Sequence, residues 1–440
     1  MHQRHDISSA FRREFATPRL WWSRAVVLGA AAIAGLTVVG FTWLAEAALA
    51  LFLQGSAYAW WLPLLWTPAC AALIVWLTRR YAPGAAGSGI PQVMASLDGQ
   101  VPPAQQGLFV SLRLSAAKIA LTAGGLLGGL SLGREGPSVQ IAAGVMLAAQ
   151  ALLPRRALVS AHALLVAGGA AGIAAAFNTP LAGVMFAIEE LSRAPEQRNS
   201  GLIVAGIVLA GLIAVSVYGN ATHFGVVHPG PIGWPLLGPG LLTALAAGLA
   251  GGLFARLLLA SLGGASADRA SRWRARRPVL FAACCGLAVA LIGLLSHGAT
   301  FGSGNEVTRA MLDGTGVPPA GFTLHKFVAT WLTVWSGAPA GIFAPSLSIG
   351  AALGRDIALL TAYPYAPALI ALGMVGFLAA ATQAPLTAFI IVMEMVDGHA
   401  MVLSLMACAV IASTVSRVLS PPLYGALAQL QLRRLPATPP

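Results

Sequence analysis

The sequence predicts an all-α polytopic membrane protein made of two repeated halves, with helices that are broken or re-entrant near their middles. Three observations carry that expectation. Of the 440 residues, 57% are hydrophobic and 9% are charged, with mean hydropathy +0.78, whereas a soluble domain carries about 25% charged residues. Glycine- and proline-rich breaks fall inside apolar stretches. The breaks also recur in the same order in the two halves.

Length alone would admit two or three soluble domains, but hardly any stretch is polar enough to form one. The longest hydrophilic pieces are residues 1–24, Ala265 to Pro278 and the tail after Gln429. Net charge is +12, and nearly all the positive charge is arginine in short loops and termini. Examples are Arg19 and Arg24, Arg79 and Arg80, Arg155 and Arg156, the cluster from Arg269 to Arg277, and Arg433 and Arg434. That is the distribution of positive loops facing the cytoplasm, and it makes nucleic acid a poor partner. It places both termini and the 269–277 loop on the cytoplasmic side. No small-residue cleavage site follows a short apolar core, so the first apolar run reads as a retained helix rather than a signal peptide. Cys70, Cys284, Cys285 and Cys408 lie in apolar runs without metal spacing or a disulfide framework. No metal and no cofactor is expected.

Taken in order, Ala25 to Phe52 is long enough to span with tilt. Trp60 to Leu77 follows, closed by Arg79 and Arg80. Gly84 to Gln92 holds three glycines and a proline, so it reads as a loop that opens a helix near Ile90. The piece from there to Leu97 is too short to cross. Leu108 to Leu130 is interrupted by Arg113 and Lys118. Ser138 to Leu153 and Leu158 to Phe177 are rich in Ala and Gly, which permit close helix packing in lipid. Asn178-Thr179-Pro180-Leu181 breaks the chain and restarts a helix that ends at Glu189-Glu190. Leu202 to Tyr218 spans. An external segment, Gly219 to Gly240, leads to a long helix, Leu241 to Leu262. The basic loop and a span from Pro278 to Leu295 come next, and the broken pattern then returns.

That return is an internal repeat. Ala174 to Leu181, running on to Glu189, matches Ala379 to Leu386, running on to Glu394. Gly133, Pro137, Ser138 and Ile141 match Gly341, Pro345, Ser346 and Ile349. Gly87-Ser88-Gly89 matches Gly302-Ser303-Gly304. The first half is placed at about residues 25–220 and the second at about 235–435, after a segment 1–24 and before a tail 436–440. Paired broken segments in two halves point to a transport site at their interface.

The stretch Gly133-Arg134-Glu135-Gly136-Pro137 sits between two uncharged runs, Ile119 to Leu132 and Ser138 to Leu153. A charge in such a setting costs about 2.5–3.5 kcal/mol on insertion scales and usually lines a pathway or finds a partner. Glycines admit close approach, and Pro137 suits a first helical turn. A helix N-terminus aimed at an anion is the physical picture.

Gly87-Ser88-Gly89-Ile90-Pro91, Gly133-Arg134-Glu135-Gly136-Pro137 and Gly341-Ile342-Phe343-Ala344-Pro345 resemble, in order and spacing, the three signature motifs of the CLC family of chloride channels and proton/chloride exchangers. Tyr424, in Pro421-Pro422-Leu423-Tyr424, resembles that family's late tyrosine. The resemblance runs from about Leu20 to Leu435. It implies the CLC fold, an inverted repeat, a homodimer with one pathway per subunit, and a multi-pass protein of the bacterial inner (plasma) membrane. It implies chloride and protons as substrates. By resemblance, the backbone N–H groups of Ile342 and Phe343 and the hydroxyls of Ser88 and Tyr424 hold the central chloride. Glu135 is the gate, plugging the path when ionised and swinging away when protonated. Glu190 matches the exchangers' internal proton glutamate.

Gly133 and Arg134 support that site, Arg134 as a source of positive field. Glu189 lines the water route or ends the helix. Lys118 adds positive potential, pairs with Glu189 or Glu190, or snorkels to an interface. Ser88 also reads as an ordinary capping serine, Tyr424 as an interfacial belt tyrosine and Glu190 as a plain charged helix end. Relatives selective for nitrate tend to carry proline at the Ser88 position, and the fluoride-exporting branch usually differs there, so Ser88 favours chloride. No paired nucleotide-sensing domains are expected after Leu435. A passive chloride channel of the same fold is the alternative function. An intramembrane serine hydrolase, with Ser88 served by His162 or His325, is a remote one, because no catalytic signature surrounds those histidines.

Overall fold

Prolines set many of the helix starts in this chain, and glycines or left-handed residues set several of the ends. The computed structural model describes residues 18–433 apart from 100, 155–158, 193–199, 220–221, 229, 231–232 and 264–267. Expectations placed on residues 1–17, on Arg155 and Arg156, on Arg434 and on the tail 436–440 lie outside the described residues.

The first half consists of α1 (Pro18–Tyr58), α2 (Leu62–Tyr81), α3 (Ile90–Leu97), α4 (Leu112–Leu127), α5 (Glu135–Ala148), α6 (Ala161–Phe177), α7 (Pro180–Phe186) and α8 (Ser200–Tyr218). The second consists of α9 (Trp234–Leu262), α10 (Arg269–Arg276), α11 (Pro278–Leu295), α12 (Asn305–Leu312), α13 (Phe322–Ser336), α14 (Phe343–Leu360), α15 (Ala366–Thr382), α16 (Pro385–Met395), α17 (Val402–Leu419) and α18 (Leu423–Leu432). Proline occupies the first turn of α2, α3, α7, α9, α11, α15 and α16, where its missing N–H costs nothing. Ser111 and Ser160 start α4 and α6 by accepting the N–H groups of Leu114 at 3.3 Å and Ala163 at 3.0 Å.

Among the described residues, seven helices are long and apolar enough to cross a membrane; α6, α15 and α16 are apolar but shorter. Two helix starts differ most from the sequence reading. The first helix begins at Pro18 rather than Ala25, because Arg19 and Arg24 are good helix formers and do not interrupt it. The long helix of the second half begins at Trp234 rather than Leu241. Pro235 opens it, and the helix continues through Pro239 at the loss of one backbone bond.

The broken helices of the two halves resemble each other. α6 and α15 both end on a left-handed residue, Asn178 at φ 60° and Gln383 at φ 62°. Both are followed by a proline-started helix. A side chain at Gly168 would strike the Ala142 carbonyl, and one at Gly373 would strike the Gly350 carbonyl. The same close approach therefore packs α6 on α5 and α15 on α14. One large apolar core runs through both halves, and a smaller one lies where α1 meets α5, α6 and α8.

The halves join at their motif loops. Gly133 and Gly341 form an antiparallel bridge, with Gly133 N–H donating to the Gly341 carbonyl at 2.8 Å and Gly341 N–H donating to the Gly133 carbonyl at 3.1 Å. Each glycine does to the other what the other does to it, as a two-fold relation between the halves requires. A Cβ on Gly341 would strike the Gly133 carbonyl, and one on Gly133 would strike the Glu135 carboxylate. Glycine is needed here for closeness, not for an unusual φ.

Candidate anion and proton site

The Gly133–Gly341 bridge brings two helix N-termini together. Glu135 is the first residue of α5, and Phe343 is the first of α14. The Glu135 side chain is 1% exposed. Its Oε2 accepts the Ala344 N–H at 3.4 Å. An anion therefore sits at the joint positive end of two helices. Ile342 caps α14, and Phe343 begins it, both buried. The N–H that Glu135 takes belongs to the next residue, Ala344.

Ser88 and Tyr424 close the site from other elements. Gly136 has no side chain, which lets the Ser88 hydroxyl and carbonyl lie against the first turn of α5. Tyr424, on α18, stacks on Phe343 with centroids 5.9 Å apart and planes 9° apart. The Phe343 ring also meets Phe177 and Phe186. The two hydroxyls adjoin each other, and neither finds hydrogen-bond geometry with any protein group although both are buried. Buried hydroxyls normally have a partner. Both orphaned hydroxyls lie beside the converging N-termini. Neither His162 nor His325 is hydrogen-bonded to the Ser88 hydroxyl.

The Ser88 loop is held by Lys118. This lysine is fully buried, and its ammonium donates to the carbonyls of Ala85 at 2.8 Å and Gly87 at 2.5 Å. It neither pairs with Glu189 or Glu190 nor snorkels. The apolar surroundings leave backbone carbonyls as its best partners. Lys326 repeats the device on the matching loop, donating to Thr300 at 3.0 Å and Gly302 at 2.7 Å.

Arg134 turns away from Glu135. Its Nη1 donates to Glu46 Oε1 at 2.6 Å, with side-chain exposures of 9% for Arg134 and 57% for Glu46. Glu46 is the one acidic residue in α1, and that isolation was the only sequence signal for it. His223 was also unforeseen. It lies in the segment between α8 and α9, where burial and then the guanidiniums of Arg134 and Arg309 push its imidazole down to about 3. It is therefore neutral, so Nε2 accepts from the Asn305 side-chain amide at 3.2 Å. Arg309 donates to the His223 carbonyl, and the ring meets Phe177 edge-on.

Glu190 stands on a π-helical turn, Ala187–Leu191, that ends the α7 region. Such turns are frequent at functional sites. Tyr424 lies within electrostatic reach of both Glu190 and Glu135. Glu189, its neighbour, goes elsewhere. Its two carboxylate oxygens accept the N–H groups of Leu386 at 3.0 Å and Thr387 at 2.6 Å, at the start of α16. Glu394, near the end of α16, accepts those of Leu181 at 3.2 Å and Ala182 at 2.7 Å, at the start of α7. Each half caps the other's broken helix. Of the two roles read from the sequence for Glu189, neither included this cross-half cap. Glu189→Ala strips one helix start of its acceptors, and loss of a charged hydrogen-bond partner costs about 1.5–3 kcal/mol. The expected result is a lower melting temperature of the purified protein in detergent, with Glu189→Gln retaining an acceptor and most of the stability. An unchanged melting temperature for Glu189→Ala would contradict the cap.

Comparison with known proteins agrees with this geometry. The chain is 30% identical to the H(+)/Cl(-) exchange transporter ClcA of Citrobacter koseri, over 97% of this chain and 91% of that one. It is 28% identical to the ClcA of Salmonella paratyphi A, over 97% and 92%. Among solved structures, a slow cyanobacterial Cl-/H+ antiporter superposes with TM-score 0.80 at 26% identity, covering 95% of this chain and 99% of that one. A CLC-type fluoride/proton antiporter superposes with TM-score 0.76 at 21% identity, covering 97% and 99%, which bears on the fold alone. With the voltage gated chloride channel family model matched over residues 70–417, the chain belongs to the CLC family.

Proposed function

We propose that this protein is a secondary active transporter that exchanges chloride for protons across a membrane. The observation that carries this reading is the Glu135 carboxylate seated at the joined N-termini of α5 and α14. A carboxylate there is a tethered anion in a site suited to a free one. Protonation removes its charge and its reason to stay; chloride then takes the N–H groups of Ile342 and Phe343 and the hydroxyls of Ser88 and Tyr424. Hydroxyls and amides hold a halide without a full opposing charge, so it can leave. Protons cannot occupy that anion site and need their own carrier. Glu190, on the π turn that ends the α7 region, is that carrier. The relatives named as proton/chloride exchangers support the same substrates.

The protein acts in the bacterial inner membrane with both termini in the cytoplasm, as the arginine distribution indicates. It works as a homodimer. The support for that is the exposed apolar residues Val204 and Leu212 on α8 and Leu403, Met406 and Val410 on α17. Purified protein in chloride-loaded vesicles is expected to drive protons uphill when chloride runs down its gradient, read by an internal pH dye. Chloride flux with no chloride-dependent proton movement would reject exchange and leave a passive channel.

A further inference from the structure

The cluster of arginines between α9 and α11 is used neither by the anion site nor by the proton route. α10 buries none of its residues. Asp268 starts it by accepting the Ser271 N–H at 3.3 Å, and Arg274 ties one side down through the Ser261 carbonyl at 3.3 Å. Arg269, Arg272, Trp273 and Arg276 recur at the spacing that places residues on one helix face. Together with Arg277 they line a pocket of about 470 Å³. Like charges at these spacings repel. The ion pairs seen among the described residues, Arg134–Glu46 and His399–Asp397, lie elsewhere. Among the described residues, the lining of this pocket holds four guanidiniums and no carboxylate.

The pocket adjoins the start of the membrane-crossing helix α11. Trp273 packs edge-on against Phe281 at 5.2 Å, and an indole suits the level of lipid headgroups. Immediately beyond Arg277, α11 presents Leu280, Leu287, Leu291 and Leu295 to the outside, with Cys284 exposed among them. Those spacings form one continuous stripe along a membrane-crossing helix. Cationic loops that only set topology need no such stripe and no common face.

We propose that α10 and the start of α11 bind an anionic phospholipid, its phosphate held by Arg269, Arg272, Arg276 and Arg277 and an acyl chain lying along the leucine stripe. A soluble phosphate would use the arginines alone. The stripe, and the position of the pocket at the end of two spans, select the lipid.

The test is a titration of the purified full-length protein in neutral detergent with dioleoyl phosphatidylglycerol or dioleoyl phosphatidylcholine, read by native mass spectrometry. Wild type is expected to retain the anionic lipid at least about tenfold better than the neutral one, as several basic residues at a surface site imply. Equal retention of the two lipids overturns the proposal without any variant. The fourfold variant R269Q/R272Q/R276Q/R277Q is expected to lose the preference, whereas R269K/R272K/R276K/R277K keeps most of it. Full preference in the Gln variant overturns the site. Complete displacement of the lipid by millimolar inorganic phosphate overturns the lipid in favour of a soluble anion. None of these readouts depends on chloride or proton transport.

Discussion

Glu135→Ala is expected to carry chloride while no longer moving protons with it. The reason lies in what the side chain occupies. Its carboxylate fills the point where α5 and α14 direct their free N–H groups, and it does so from a backbone fixed by the Gly133–Gly341 bridge. Removing it opens the anion path and deletes the only group there that can exchange a negative charge for a proton. Proton movement coupled to chloride should fall by at least about 100-fold, the scale of losing a positioned proton carrier. Chloride flux should persist and lose its dependence on external pH. Glu135→Gln mimics the protonated side chain and should give the same uncoupled flux. Both are read in vesicles, with a chloride electrode and a pH dye. Uphill proton movement by either variant would refute the gate.

Arg134 does not complicate that test. Its guanidinium is engaged with Glu46 on α1, so removing the Glu135 carboxylate leaves no buried charge newly stripped of its ion-pair partner. The pairing explains why two opposite charges, adjacent in sequence, act separately. At a helix start they point apart, and each finds its partner in a different element.

Much of this site was legible because it is local. The glycines and prolines of Gly87–Pro91, Gly133–Pro137 and Gly341–Pro345 announce breaks, and the repeat announces that the breaks face one another. What stayed illegible was long-range exchange. The repeat aligned Glu189 with Glu394, yet nothing in one dimension shows that each reaches across to cap the helix of the other half. Lys118 was legible as a buried cation, but its acceptors are loop carbonyls more than thirty residues away, and any residue has a carbonyl to offer. Glu46 and His223 were missed for the same reason. Their significance lies in Arg134, Asn305 and Arg309, which only folding brings near. The start of α9 was misplaced because a segment rich in Gly and Pro reads as loop, although Pro235 is well placed to begin a helix.

Glu190→Gln is expected to abolish coupled proton movement and leave chloride flux within about twofold, since the change removes a titrating proton and keeps the side chain's size. The separation of roles follows from position. Glu190 stands on the π turn that ends the α7 region and is not among the groups at the joined N-termini of α5 and α14. On the proposed route a proton bound for Glu135 needs a carrier of its own, because a site built of N–H groups and hydroxyls holds anions and not protons. The neighbouring carboxylate supplies the control. Glu189 is spent on the N–H groups of Leu386 and Thr387, so Glu189→Gln should keep proton coupling where Glu190→Gln loses it. Parallel vesicle assays of the two variants, each with its melting temperature, separate proton carriage from helix capping. Equal loss of coupling in both would mean that the two glutamates act as one unit, and undiminished coupling in Glu190→Gln would remove it from the proton route.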